Sequence, residues 1–434
     1  MHSELIGYCI HYLCSILFFQ KNEVLMEITL TIDSIAYRGP GVGRANGCVY
    51  FVPGTCQGEV VRARVTTQKK NYGEARVVAI EKASPERLQH AECTFGRYPV
   101  PGCVYGHMTY EAELKYKQEQ LLSFLKRQAK QENAENLLLE PFASPQHLNY
   151  RNKITLHYDR GFKGRPVLGY FGDDNETVVE VPQCPLAAPE INAELAELRE
   201  DPRFTRYLGV GGSAIIRYTK KDGVLVLPLS VNHRFIEEDY PMLHEHINAG
   251  EILVPPRGFY QVNPYVSPKL VEYVIGLVEQ IKPDRLLDMY CGVGVFGLSA
   301  AHIGVPAIIG YDSGRDVIGV AQQNAAMLGL NDTKFICGLS AQIADSALRN
   351  AKKRGGKATV IVDPPRSGLE PEVTAALWEH PVENLIYVSC APDTLARDLV
   401  KLTSDGTYSI RSVKLFDMFP RTAHFESVTW LQKN

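Results

Sequence analysis

The sequence lacks a long run of apolar residues, a strong net charge and a regular cysteine framework. Its 434 residues are 45% hydrophobic and 22% charged, and the net charge is −3. These values exclude a membrane bundle and extended disorder, and they require any surface that binds a polyanion to be local. The chain contains no internal repeat or low-complexity segment. Its length predicts two or three domains.

The cysteine pattern indicates a reducing environment. Ten cysteines stand at irregular spacing, and no cleavable signal peptide precedes them. We therefore expect a cytoplasmic protein with free thiols, which can serve as nucleophiles or ligands. The apolar stretch "LIGYCIHYLCSILFF" is too short to span a bilayer, so we expect no membrane partner. A clean strand pattern begins at Met26, and we expect residues 1–25 to be a leader outside the fold.

Three regions follow this leader. Residues 26–84 show short strands ("EITLTIDSI", "CVYFVP", "GEVVRARVTTQ") around Gly-rich turns such as "YRGPGVGRANG", which predicts a small OB-like β-barrel. Residues 85–255 mix strands with a helix, "PEINAELAELRE", and a charged helical stretch at about 106–130, which predicts a central α+β domain. Residues 256–434 alternate strands and helices, which predicts a Rossmann-like, doubly wound parallel sheet ending in a hairpin.

The predicted barrel is rich in basic side chains. Such barrels bind oligonucleotides through exposed strands, where cations contact phosphates and aromatic rings stack on bases. The alternative is a solvated basic face on a spacer domain. The side chains available for RNA are Arg38, Arg44, Arg62, Arg64, Lys69, Lys70 and Tyr72.

A glycine motif follows the first strand of the C-terminal region. In "LLDMYCGVGVFG" the glycines at 292, 294 and 297 let a ligand approach the backbone, and Asp312 at the end of the second strand can accept ribose hydroxyls. This pattern alone fits either a dinucleotide or S-adenosylmethionine. Asp288 would repel a pyrophosphate but suits a cationic ligand. The rigid "VDPPRSG" turn can hold a carboxylate against a planar base, so methyl transfer is favoured.

Cys390 and Glu426 are the candidate catalytic residues. Uracil C5 is a poor nucleophile, and a thiolate that adds to C6 makes C5 able to attack a sulfonium methyl group. A base must later remove the C5 proton, and Glu426 stands beside the last strand. Taken singly, a cysteine at a strand end is more often a small buried apolar residue, and Glu426 is equally interpretable as a surface carboxylate.

Together, five strings resemble the S-adenosylmethionine-dependent RNA uracil-5-methyltransferase family. They are "GFYQVNP", "LDMYCGVGVFGLSA", "VDPPRSGL", "YVSCAPDTLARDL" and "DMFPRTAHFESV". Residues 26–84 resemble the TRAM domain of this family. The resemblance implies a class I methyltransferase fold, with Cys390 as nucleophile and Glu426 as proton-abstracting base. It also implies that the methyl donor, S-adenosyl-L-methionine, is held by Gln261, Tyr290, Asp312 and Asp363.

The sequence departs from the family pattern at three positions. Val295 and Leu339 replace polar residues of the donor pocket. Many TRAM-containing members carry a four-cysteine [4Fe–4S] site; Cys93, Cys103 and Cys184 match three of its positions, but Val100 occupies the other. Four thiolates are the usual complement of such a cluster. We therefore expect no [4Fe–4S] cluster and no metal, with packing in its place.

The expected substrate is RNA, and the TRAM resemblance favours 23S rRNA over the T-loop of tRNA. Two other functions stay open. Methylation of cytosine C5 also uses cysteine addition at C6, but enzymes of that class do not share "DMFPRTAHFES". A catalytically silent RNA-binding or RNA-folding factor would keep the barrel and a degenerate donor pocket, which the changes at Val295 and Leu339 permit.

Overall fold

The computed structural model describes residues 26–95, 98–161, 166–172, 174–202, 204, 208–229 and 240–434. The expected leader at 1–25 lies outside the described residues. Within these ranges, no helix is both long enough and apolar enough to cross a bilayer.

A closed five-stranded barrel forms the N-terminal region, with neighbours in the order β1–β2–β3–β5–β4. Its strands are β1 (Glu27–Ile35), β2 (Gly41–Ala45), β3 (Cys48–Val52), β4 (Val60–Gln68) and β5 (Tyr72–Lys82). In β1 the side chains of Ile28, Leu30 and Ile32 are buried and alternate with exposed residues, because successive side chains of a strand face opposite sides. The predicted barrel is confirmed.

The glycine-rich stretch at the start of the barrel is more than a turn, because five of its residues form strand β2. A Cβ atom on Gly41 would lie 2.0 Å from the Thr55 hydroxyl oxygen, and one on Gly43 would lie 2.4 Å from the carbonyl oxygen of Thr31. These glycines therefore allow close approach of neighbouring backbone and side chains inside a small barrel.

The central region contains a short hairpin, an antiparallel sheet and a second hairpin. The short hairpin pairs β6 (Thr94–Phe95) with β7 (Tyr98–Pro99). Helices α1 (Tyr110–Arg127), α2 (Ala134–Leu137) and α3 (Pro189–Glu200) lie in this region, and α3 matches the predicted helix. The five-stranded sheet has the order β10–β9–β8–β11–β12. The strands are β8 (Lys153–Arg160), β9 (Pro166–Phe171), β10 (Val178–Glu180), β11 (Ser213–Thr219), β12 (Gly223–Leu229), and the hairpin β13 (Leu243–Ile247) and β14 (Gly250–Val254).

Helix α1 joins the barrel to the C-terminal domain. It begins after Thr109, whose hydroxyl accepts a hydrogen bond from the backbone N–H of Ala112 at 3.3 Å, as an N-cap residue does. Tyr116 packs in the barrel core, whereas Leu121 and Leu125 belong to the apolar core of the C-terminal sheet. The charged stretch predicted near 106–130 is therefore one helix whose first half packs in the barrel core and whose second half packs in the core of the C-terminal sheet.

The C-terminal domain is a seven-stranded sheet with the order β17–β16–β15–β18–β19–β21–β20. Strands β15 to β19 are parallel, whereas β21 runs antiparallel to β19 and β20. The strands are β15 (Arg285–Met289), β16 (Ile308–Asp312), β17 (Lys334–Cys337), β18 (Ala358–Val362), β19 (Asn384–Ser389), β20 (Tyr408–Phe416) and β21 (Glu426–Lys433). The helices are α4 (Ser267–Ile281), α5 (Val295–His302), α6 (Arg315–Met327), α7 (Ser340–Lys353), α8 (Pro371–Glu379) and α9 (Pro392–Thr403).

This arrangement confirms the predicted doubly wound sheet of Rossmann-like type. The predicted hairpin of the last two strands is also present, with β20 at the edge. Strand β21 lies inside the sheet, between β19 and β20, so the strand that follows Glu426 is hydrogen-bonded on both sides.

Candidate active site

Four neighbouring parallel strands bring the predicted site residues to one edge of the C-terminal sheet. Strands β16, β15, β18 and β19 are adjacent in that order. Doubly wound sheets bind their ligands beyond the carboxyl ends of such strands. Residues at or directly after these four ends are Asp312, Tyr290, Asp363 and Cys390.

The glycine motif forms the loop between β15 and α5. Gly292 and Gly294 adopt positive φ angles of 52° and 92°, which glycine adopts without steric cost. The N–H of Gly292 donates to Asp312 Oδ2 at 3.0 Å, and the N–H of Gly314 donates to Asp312 Oδ1 at 2.8 Å. An ionised carboxylate has about four acceptor positions, so Asp312 is held in place and can still accept two ribose hydroxyls.

Asp288 is a buried carboxyl group beneath this loop. Its Oδ2 accepts the N–H of Gly297 at 2.8 Å, while its buried Oδ1 has no hydrogen-bond partner among the described residues. Burial raises the pKa of Asp288 to about 7, and the like charges of Asp363 and Asp312 act in the same direction. A carboxyl group in this condition favours a cationic ligand, because a nearby positive charge stabilises the ionised form.

Tyr290 lies directly after β15 with a positive φ of 66°. Its hydroxyl donates a hydrogen bond to Glu370, and burial, followed by this bond, raises the pKa of Tyr290. The contact fixes the orientation of the ring above the glycine loop. Because the hydroxyl is bonded to Glu370, the donor contact that the resemblance implies for Tyr290 would be made by its ring or its backbone.

Cys390 and Glu426 are neighbours across two antiparallel strands. Ser389, the last residue of β19, pairs with Ser427 in β21, and Cys390 and Glu426 are the next residues on the two segments. Opposite residues of an antiparallel pair have Cα atoms about 4.5–5.5 Å apart. The nucleophile and the base predicted from the sequence are thus adjacent, although 36 positions separate them in the chain.

Burial and like charge favour the protonated form of both groups in the free protein. Burial raises the pKa of the half-buried Cys390 thiol to about 12, Glu426 and Asp363 raise it further, and the Arg366 guanidinium opposes them. Glu426 is 3% exposed, and burial together with Asp363 raises its pKa well above the usual range. Perturbed groups in contact are typical of catalytic sites.

Gln261 and Asp363 lie near Glu426 and act on its carboxyl group. Gln261, in the loop between β14 and α4, hydrogen-bonds to Glu426, and the resulting stabilisation of the carboxylate opposes the rise in its pKa. One oxygen each of Gln261 and Glu426 is buried without a hydrogen-bond partner among the described residues. Burial also raises the pKa of Asp363 to about 7. The pocket thus presents acceptors and acids that a polar ring can satisfy.

Three residues of the site were missed by the sequence analysis. Arg366 in "DPPRSG" is exposed and is the cation that opposes the raised pKa values of Cys390 and Glu426. His424 is neutral near pH 7, because burial and Arg366 lower its pKa to about 4. Phe259, two positions before Gln261, is 70% exposed. The signals were a basic residue four positions after the end of β18 and an aromatic residue in the loop before α4.

The three cysteines of the expected degenerate cluster site lie in the apolar core of the central sheet. Cys93, Cys103, Cys184 and Val100 are each at most 9% exposed and belong to one cluster. The thiol of Cys93 hydrogen-bonds to that of Cys103, and this contact is the largest cause of its raised pKa. A cavity of about 370 Å³ adjoins Val100, Cys103 and Cys184. The residues present do not fit a four-cysteine cluster, because valine cannot coordinate iron.

Comparison with known proteins gives matches for the barrel and for the C-terminal domain. Residues 228–434 match the family model described as tRNA (Uracil-5-)-methyltransferase, and residues 21–78 match the TRAM domain model. An uncharacterized RNA methyltransferase of Thermosynechococcus vestitus is 29% identical over 93% of this chain and 97% of its own length. Another, from Halalkalibacterium halodurans, is 26% identical over 95% of this chain and 97% of its own length.

A solved structure has the same architecture. The tRNA (uracil-54, C5)-methyltransferase of Pyrococcus abyssi, in complex with S-adenosyl-L-homocysteine, superposes with a TM-score of 0.69. It is 25% identical, and the alignment covers 93% of this chain and all of that one. The fold and the site thus define an RNA methyltransferase with an N-terminal TRAM barrel. More specifically, the C-terminal region, residues 228–434, belongs to the tRNA (Uracil-5-)-methyltransferase family by its match to the family model, as its motifs predict.

Proposed function

We propose that this protein transfers a methyl group from S-adenosylmethionine to C5 of a uridine in 23S rRNA, through a covalent bond between Cys390 and C6. The observation that carries this proposal is that Cys390 and Glu426 are the residues next to the last register pair, Ser389 with Ser427, at the carboxyl edge of the sheet, and that Glu426 acts electrostatically on the Cys390 thiol. A nucleophile and a base on the same side of a planar ring are what addition at C6 and proton removal at C5 require.

The donor site fits a cationic adenosine ligand. Asp312 is fixed by two backbone N–H groups and retains acceptor capacity for a ribose, and Asp288 has a buried oxygen without a partner. When bound, S-adenosylmethionine supplies an electrophilic methyl group. Asp288 and Asp363 would stabilise the positive charges of the donor, because both are buried acids with raised pKa values.

The thiolate of Cys390 forms the first bond. Its sulfur would add to C6 of the uracil ring, and the electron pair of the C5–C6 double bond would become available at C5. C5 would then take the methyl group as the S–CH3 bond of the donor breaks, with S-adenosylhomocysteine as the leaving product. The pKa of about 12 means that the thiol is almost fully protonated in the free protein. Arg366 is the cation placed to stabilise the thiolate.

Glu426 then completes the reaction. Its carboxylate accepts the proton from C5, the electrons of the broken C5–H bond re-form the C5–C6 double bond, and the bond between C6 and the Cys390 sulfur breaks. Burial raises the pKa of Glu426 and so increases its basicity when it is ionised, which suits proton removal from carbon. The amide of Gln261 holds the carboxylate in position.

RNA would reach this pocket along a path from the barrel. The barrel turn at Tyr37 and Arg38 lies beside the catalytic domain. The ring of Tyr37 packs edge-on against Phe124, with the ring centroids 5.1 Å apart, and the charges of Asp393 and Arg366 shift the pKa of Tyr37 in opposite directions. Phe259 offers an exposed ring to an unstacked base. The target uridine must leave its stack to reach Cys390, as bases do in other base-modifying enzymes.

The proposal is tested with two substitutions and a labelled methyl donor. Cys390→Ala should abolish both methylation and any covalent adduct. Glu426→Gln should trap a methylated protein–RNA adduct that survives denaturation, because addition and methylation precede the step that needs the base. Undiminished methylation by Cys390→Ala would refute the covalent mechanism, and normal turnover by Glu426→Gln would refute the role of the base.

A uridine in tRNA is the second candidate substrate. The Pyrococcus abyssi enzyme is described as acting on uracil-54 of tRNA, and it aligns with this chain over its whole length. The barrel by itself therefore does not select rRNA. Mapping 5-methyluridine in 23S rRNA and tRNA from a deletion strain and its parent decides between them, since the modified position disappears from only one RNA. Loss from neither RNA would refute both assignments.

A further inference from the structure

One loop, residues 417–425, carries the chain from β20 into Glu426. Phe416 and Glu426 pair directly across the two strands, so the loop begins and ends at the site of the base. Inside it, Arg421 has a positive φ of 66°, and the Thr422 hydroxyl donates to the carbonyl oxygen of Phe419 at 2.8 Å. The path of this loop therefore fixes where β21 starts and how the side chain of Glu426 is directed.

Helix α1 holds this loop through four buried charged residues. Lys117 Nζ lies 2.7 Å from Asp417 Oδ1 and 2.7 Å from Glu113 Oε1, and Arg421 Nη1 lies 3.1 Å from Glu113 Oε2. The side chains of all four residues are at most 1% exposed. We refer to Glu113, Lys117, Asp417 and Arg421 as the loop network.

The network also binds the backbone of the loop. Lys117 donates to the carbonyl oxygen of Phe419 at 3.2 Å, and the backbone N–H of Arg421 donates to Glu113 at 2.6 Å. The Tyr110 hydroxyl donates to the second oxygen of Asp417 at 2.8 Å. Helix α1 thus contacts the loop at its first residue, in its middle and at the strained residue.

The energetics of this arrangement favour a positioning role over a stabilising one. Arg421 also pairs with Glu92, whose Oε2 lies 2.6 Å from Arg421 Nη2, so two cations face three carboxylates. Buried ion pairs add little stability compared with apolar packing, because each ion loses its hydration. Their distinctive property is that they allow a single geometry, since a displaced partner leaves a buried charge unpaired. A loop that only needed to be covered could be packed with apolar side chains.

We propose that the loop network of helix α1 positions Glu426 to remove the C5 proton. This role rests on the proposed function, and it makes Glu113, Lys117, Asp417 and Arg421 positioning residues that do not contact the substrate. Their disturbance should impair the last step of the reaction and spare the earlier ones, because Cys390 directly follows β19 and α1 makes none of these contacts to that strand.

Asp417→Asn tests this proposal, because it removes one network charge with little change of volume. With RNA and labelled S-adenosylmethionine, we expect turnover to fall about tenfold to a hundredfold, the cost of a misplaced catalytic group. The fraction of enzyme captured as a methylated, denaturation-resistant adduct should rise, and donor affinity should stay within about twofold of wild type. A role in stability alone would lower turnover and adduct together.

Two further variants complete the experiment. Tyr110→Phe removes the hydroxyl that donates to Asp417 and accepts the backbone N–H of Ser144, but it leaves all four charges of the network in place. It should therefore give a smaller rise in adduct even if Asp417→Asn does not fold. Glu59→Gln is the matched control, because Glu59 is a fully buried carboxylate paired with Arg87 in the barrel. It should lower the melting temperature without raising the adduct fraction.

The outcomes separate this proposal from the proposed function. Adduct trapped by Glu426→Gln establishes the covalent reaction, whatever the loop variants do. Given that result, a folded Asp417→Asn or Tyr110→Phe enzyme whose adduct does not rise, or falls in parallel with turnover, overturns the positioning role. A rise in adduct of equal size in Glu59→Gln overturns it too, because any loss of stability would then produce the effect.

Discussion

The affinity for the methyl donor should depend on pH, because two acids of the donor site are protonated near neutrality. Burial raises the pKa of both Asp288 and Asp363 to about 7, so below this pH each carries a proton and no charge. A cationic donor binds the ionised form. Lowering the pH from 8 to 6 should therefore weaken binding, since the donor must first displace a proton.

The size of the effect follows from simple electrostatics. A unit charge about 4 Å from a carboxylate contributes roughly 4 kcal/mol at an effective dielectric constant of about 20, which corresponds to about three pKa units. Even a decrease of about two units in the pKa of one acid makes the dissociation constant about tenfold larger at pH 6 than at pH 8. Two acids that titrate independently would increase this ratio further.

Isothermal titration calorimetry at pH 6, 7 and 8 measures this dependence directly. Repeating the pH 6 titration in buffers with different heats of ionisation should show the release of about one proton on binding. S-adenosylhomocysteine, which lacks the sulfonium charge, is the control ligand and should show a weaker dependence. Asp363→Asn should flatten the profile. Equal affinity for S-adenosylmethionine at pH 6 and pH 8 would refute the assignment of these acids to the donor.

Three further expectations concern the barrel, the thiol and the cysteine cluster. Replacing exposed Lys69 and Lys70 by alanine should weaken RNA binding and reduce its salt dependence without changing donor affinity, as a filter-binding series at several salt concentrations would show. The rate of alkylation of Cys390, measured by peptide mass spectrometry, should increase about tenfold per pH unit between pH 7 and 9. A rate that reached a plateau in this range would contradict the raised pKa of Cys390. Val100→Cys supplies a fourth cysteine and should allow an iron–sulfur cluster with absorption near 400 nm to be reconstituted under anaerobic conditions. The wild-type protein should not form this cluster, and equal amounts of bound iron in both proteins would contradict the poor fit of a cluster.

The sequence predicted the architecture where the pattern of apolar residues is local. Strand β1 alternates with a period of two, and helix α3 occupies the predicted segment "PEINAELAELRE". The glycine-rich strand β2 was less visible, because glycine signals a turn in a single sequence. Only the tertiary contacts of Gly41 and Gly43 show that the missing side chains make room for a neighbouring strand.

The site was predictable by residue type more than by geometry. Strand ends and motif resemblance indicated Cys390 and Glu426, but their adjacency depends on the register of β19 against β21, which a sequence does not encode locally. The contact between Lys117 and Asp417 spans 300 residues. A charged helix is usually interpreted as a solvated face, so a single sequence gives no sign that its lysine is completely buried.

The insertion of β21 between β19 and β20 has a consequence for how activity is acquired during folding. Neither neighbour can complete its hydrogen bonds until this strand enters the gap, so the sheet on the Cys390 side stays unfinished until the segment that starts at Glu426 docks. The proposed nucleophile and the proposed base therefore come together only when β21 docks. A chain in which β21 has not docked would therefore present the Cys390 thiol without Glu426 beside it.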